Sequence, residues 1–80
     1  DLVMDDGGTL VFVEVRYRHS PGFGSAMESI DRRKQQRLIA AARHYLTAHN
    51  ADRPCRFDVV AMTGTPPRLE WLRNAFDASS

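Results

Sequence analysis

Three features of this 80-residue chain predict a mixed α/β domain with the element order β-β-α-β-β. Short apolar runs, each bounded by Gly, Pro or Asp, mark four strands. A single stretch, from about residue 32 to 49, carries apolar residues at helical spacing. It lies between the second and third runs, so those two strands are joined by a crossover rather than a tight turn.

Residues 1–4 and 10–18 read as two strands joined by Asp5-Asp6-Gly7-Gly8, whose glycines tolerate positive φ, so a β-hairpin is expected. Along 10–18 the two-residue period puts Leu10, Phe12, Glu14, Arg16 and Arg18 on one face and Val11, Val13, Val15 and Tyr17 on the other. Both faces are apolar in the first half, which predicts a central strand covered on both sides. In the second half the Glu14 face turns polar, which marks a site or an edge. The stretch HSPGFGS at 19–25 reads as a mobile loop able to fold over a ligand. Asp31 is the expected N-cap of a helix over about 32–49, with Leu38, Ile39, Ala42, Tyr45 and Leu46 as its apolar stripe. Asn50 and Pro54 bracket its end. An apolar strand at 57–62, a turn at 63–67 and a last strand at 68–73 complete the chain. The 57–62 strand is predicted to lie parallel to 10–18 through a right-handed crossover, with the helix on one face of the sheet.

Eighty residues make one domain, and the composition, 42% hydrophobic and 26% charged, is that of a chain that folds. Nothing approaches the ~18 apolar residues of a membrane span, and the start lacks a signal peptide, so a cytoplasmic protein is the expectation. Cys55 is the single cysteine, which excludes an internal disulfide and a cysteine-based zinc site. Asp1 is followed at once by Leu2, Val3 and Met4, so the chain reads as a single domain, 1–80, opening inside an element. The net charge of +1 hides an asymmetry. Residues 16–56 hold nine Lys or Arg against three acids, while the remainder holds two against seven. A basic band beside a carboxylate cluster suits a polyanion held near metal-binding acids. An Arg-rich helix face also reads as plain solvated surface.

Asp1 on the first strand, with Glu14 and Arg16 on the second, carry the chemistry. A hairpin brings the first strand alongside the second, so Asp1 and Glu14 are candidate ligands of Mg2+ or Mn2+, with Arg16 steadying a phosphate. Acids at this spacing also arise by chance in hairpins.

The run TLVFVEVRYR, the PGFG loop, the helix entry SIDRRKQQRLIAAARHYL, then RFDVVA and RNAF together resemble the uncharacterised bacterial YraN-like proteins over essentially the whole chain. Those proteins are placed in the restriction-endonuclease-like superfamily, near archaeal Holliday-junction resolvases, whose signature is Asp on one strand and Glu-x-Lys on the next. The resemblance implies a restriction-endonuclease-like core that here lacks an N-terminal helix and strand. It matches Asp1 to the aspartate of the family's Gly-Glu-Ile-Asp segment and Glu14 to the glutamate of Glu-x-Lys. Arg16 stands where lysine is usual, and arginine, effectively always protonated, stabilises charge but does not act as a general base. The resemblance also implies DNA as a partner, and a homodimer, since resolvases act as dimers on two-fold junctions.

Lys34 falls in the first helical turn, where backbone amides attract phosphate, and is a candidate substitute for the missing lysine. The alternative is a solvated lysine. Gln35 is a candidate for holding water or phosphate, as glutamines do in related resolvases, or else an ordinary helix-flank residue. Arg18, Arg32, Arg33, Lys34 and Arg37 are the candidate nucleic-acid contacts. Asp58, among apolar neighbours, needs a partner, and Arg56 on the same strand face is the expected one. His19, His44 and His49 show no ligand-like spacing. Tyr17, Phe23 and Trp71 are either core residues or stacking platforms for bases. Cys55 has no histidine partner that would make it a nucleophile. The expected function is a metal-dependent DNA endonuclease acting on structured or branched DNA. The alternative is a catalytically degenerate nucleic-acid-binding or protein-interaction module on the same fold.

Overall fold

A computed structural model describes residues 2–18 and 30–78. Within them the chain forms β1 (Leu2–Asp6), β2 (Thr9–Arg18), α1 (Arg32–Ala48), β3 (Cys55–Thr63) and β4 (Arg68–Phe76). The four strands make one mixed sheet in the order β1-β2-β3-β4. β1 pairs antiparallel with β2, β2 parallel with β3 through the α1 crossover, and β3 antiparallel with β4. The α/β class and the element order are those the sequence predicts. Asp1 and the 19–25 loop with Phe23 lie outside the described residues.

The hairpin is tighter than expected, because Asp5 and Asp6 extend β1 and only Gly7 and Gly8 turn, with φ of 57° and 96°. Two consecutive positive φ values suit the right-handed twist of paired strands and favour glycine. The Asp5 side chain accepts from the Gly8 N–H at 3.1 Å. Arg53 locks the hairpin from outside, 2.8 Å from Asp5 and donating to the Gly8 carbonyl at 3.0 Å.

α1 starts as predicted, with the Asp31 carboxylate accepting from the Lys34 N–H at 2.8 Å. Ile39 and Ala42 are its buried residues, and they pack with Ile30, Phe57, Val59, Ala61 and Phe76. Phe57 stacks between Phe12 and Phe76, with ring centroids 5.7 and 4.8 Å away, contacts worth about 0.5–1.5 kcal/mol each beyond their buried area.

β4 runs past its predicted end at residue 73 because a bulge carries it on. The register slips between Phe57 and Val59, and Asn74 takes φ 53° there. Asparagine tolerates this left-handed conformation better than most residues.

The two faces of the sheet differ. α1 covers the face of Phe12, Phe57 and Phe76. On the other, Val11, Val13 and Val60 form a small buried cluster, while Leu2, Met4, Val15, Tyr17, Leu69 and Trp71 are exposed. The first half of β2 is buried on both faces, as expected, with Leu10 on one and Val11 and Val13 on the other, while Val15 and Tyr17 in its second half are exposed. Among the described residues Val60 completes the small cluster on that second face. No described helix is long and apolar enough to cross a membrane.

Candidate functional site

Glu14 owes its position to strand parity. It shares a face with Phe12 and pairs in register with Val59, which puts its side chain under α1 in the middle of the sheet. Only 7% of the residue is exposed. A charge so placed needs compensation, and α1 supplies it. The Asp31 cap fixes the backbone of Lys34, whose ammonium lies 3.5 Å from Glu14 Oε2. That is long for a charge-assisted hydrogen bond, which runs about 2.7–2.9 Å. Glu14 Oε2 is buried and has no hydrogen-bond partner. The carboxylate thus has a counter-charge nearby and an unsatisfied oxygen.

Lys34, Leu38, Ala41 and Tyr45 follow one helical row at i, i+4, i+7 and i+11. Below the last three of them a cavity of about 200 Å³ opens between α1 and the hairpin, lined also by Val3, Phe12 and Glu14. Its volume accommodates several waters beside the carboxylate.

The second buried carboxylate lies on the opposite face. Asp58 is 1% exposed and satisfied on both oxygens. Arg56 donates to it through Nε at 2.9 Å and through its terminal nitrogen at 3.0 Å, Trp71 Nε1 donates at 3.0 Å, and the Asn74 N–H donates at 3.0 Å. Arg56 also reaches Asp6 at 3.0 Å. Burial pushes the Asp58 carboxyl upward. The hydrogen bonds from Arg56, Asn74 and Trp71, with the charge of Arg56, outweigh it and hold the group below its ordinary range. This fork confirms the expected Arg56–Asp58 pair and makes Asp58 a structural acid.

Of the remaining candidates, Arg16 is half-buried in β2 on the Glu14 face, two residues further along. Gln35 donates to the Ile30 carbonyl at 3.2 Å, so it ties the helix to the segment before it. Arg18 closes β2. Arg32, Arg33 and Arg37 are exposed on α1, as are Arg43 and His44. Two arginines of the basic band face the hairpin instead, Arg53 on Asp5 and Arg56 on Asp6. Sequence reasoning missed Trp71 and Asn74 as partners of Asp58, because that contact depends on the bulged β3–β4 register.

The fit of Glu14 to a divalent cation follows from its donor chemistry. A buried, unsatisfied carboxylate oxygen is a hard-cation ligand. Among the described residues no three Asp, Glu, His or Cys side chains come together around it. The first described pair of the β1–β2 ladder is Leu2 with Val13, one step short of the Asp1–Glu14 pairing expected from the sequence.

Comparison with known proteins gives a consistent result. Residues 1–62 match the uncharacterised protein family UPF0102. A UPF0102 protein of Stutzerimonas stutzeri is 58% identical over 82 residues, covering 98% of this chain and 68% of the relative. Those of Chromohalobacter salexigens and Nitrosomonas europaea are each 55% identical over 80 residues, covering 98% and 99% of this chain and 65% and 68% of theirs. The chain therefore spans about two thirds of the length of these relatives.

Proposed function

The chain belongs to the uncharacterised protein family UPF0102, the YraN-like proteins, and we propose that it is a metal-dependent endonuclease domain acting on structured or branched DNA. The observation that carries this reading is Glu14. Its carboxylate is buried on the helix-covered face, with one oxygen unsatisfied and the Lys34 ammonium 3.5 Å away. A structural acid at such a site is expected to be fully hydrogen-bonded, as Asp58 is.

In this reading Glu14, with Asp1, holds Mg2+ or Mn2+. A divalent ion of this kind supplies an activated water and charge neutralisation at the scissile phosphate. Lys34 and Arg16 flank the carboxylate and meet the negative charge that develops on the phosphate oxygens. Arg32, Arg33 and Arg37, exposed on α1, hold the nucleic-acid backbone without reading its bases.

One observation favours a second reading, a nucleic-acid-binding module on the same fold without catalysis. It is the absence of a three-ligand cluster among the described residues. The test is to incubate the intact protein with labelled duplex, forked, four-way-junction and single-stranded DNA in Mg2+ or Mn2+, beside Glu14→Gln and a chelator control. The endonuclease reading expects cleavage that vanishes in both controls. Binding without cutting, unchanged in Glu14→Gln, leaves the binding module. A protein that neither binds nor cuts any of these DNAs overturns both.

A further inference from the structure

We propose that Lys34 sets the divalent-cation affinity of the site by competing for Glu14: its ammonium lies against the carboxylate that a metal ion would take. This rests on the reading of Glu14 as a metal carboxylate and goes beyond it.

Glu14 Oε2 lies 3.5 Å from the ammonium, and the same atom is buried without a hydrogen-bond partner. The ammonium and a divalent ion therefore claim one carboxylate. Both are positive, and between charges a few ångströms apart, away from bulk water, repulsion is strong. The ion binds more weakly for as long as the ammonium stays.

Lys34 is built to withdraw without disturbing the helix. Its backbone N–H is held by the Asp31 cap at 2.8 Å, while its side chain is 27% exposed and has a path to solvent. The Glu14 side chain, by contrast, is 8% exposed and is anchored in the middle of the sheet. The lysine moves and the carboxylate stays. Once displaced, the ammonium sits beside the site as a free positive charge for a phosphate, so metal entry and anion binding are linked.

The test needs no substrate. Manganese chloride is titrated calorimetrically into the intact protein at neutral pH, as wild type, Lys34→Gln, Lys34→Arg and Glu14→Gln, each checked for folding by its thermal melt. Removing the competing charge is expected to tighten manganese binding by about tenfold or more in Lys34→Gln. Lys34→Arg keeps the charge and is expected to bind as wild type does, which a merely structural role for the side chain would not produce. Glu14→Gln is expected to lose binding. If wild type binds and Lys34→Gln binds equally or more weakly, the competition is overturned while the metal site stands. If no form binds manganese, Lys34→Gln included, the metal reading of Glu14 falls and the competition with it.

Discussion

Glu14 and Asp58 are both buried carboxylates on neighbouring central strands, and they differ in how their oxygens are met. Asp58 receives two hydrogen bonds from Arg56, one from Trp71 and one from the Asn74 backbone, and neither of its oxygens is left unsatisfied. Glu14, on the other side of the sheet, has a lysine at 3.5 Å and a buried oxygen with no hydrogen bond. The lesson is that burial alone does not identify a functional acid. Asp58, which holds a bulge and a strand end together, is completed by its own fold, whereas Glu14 keeps an oxygen that its fold does not complete.

The contrast breaks most easily at Asp58. Asp58→Ala leaves the Trp71 indole and the Asn74 amide without their acceptor and leaves Arg56 only Asp6, and is expected to cost about 2–4 kcal/mol in urea unfolding. A loss under about 1 kcal/mol would mean that the fork is ornamental. Acid acts on the same group. Because Asp58 is held below its ordinary range, its contribution is fully present above the unfolded carboxylate value, near pH 4, and fades as pH falls through the lower folded value. The gap in melting temperature between wild type and Asp58→Asn is therefore expected to shrink on acidification below about pH 4. A gap that widens there would reverse the assigned direction.

Smaller effects sharpen the comparison. Trp71→Phe keeps an aromatic ring on the open face and removes one donor from Asp58, so about 1 kcal/mol of destabilisation is expected by the same unfolding measurement. Glu14→Gln is expected to change stability least, by less than about 1 kcal/mol. It trades a buried, incompletely satisfied charge for an amide and leaves Lys34 a route to solvent. A penalty as large as that of Asp58→Ala would show Glu14 to be a second structural acid.

Much of the fold was legible in the sequence because it rests on local signals. The Gly7-Gly8 turn, the Asp31 cap and the helical stripe from Leu38 to Leu46 each act within a few residues. The boundaries moved where tertiary contacts extend an element. Asp5 and Asp6 joined β1 because Arg53 and Arg56 neutralise them, and β4 ran on to Phe76 because Asp58 holds the bulge at Asn74. Of the site, the common face of Glu14 and Arg16 and the Arg56–Asp58 pair follow from a two-residue period, so they could be read directly.

By itself, then, the sequence determined the α/β class, the order of elements and which side chains share a strand face, since backbone periodicity dictates those. Only the tertiary structure decided that Lys34, twenty positions from Glu14 along the chain, comes to lie beside it while Trp71 and Asn74 close around Asp58. Such pairings depend on strand register and on the seat of α1 over the sheet. Those are set by how Phe12, Phe57, Phe76, Ile39 and Ala42 pack together, and no local pattern encodes that packing.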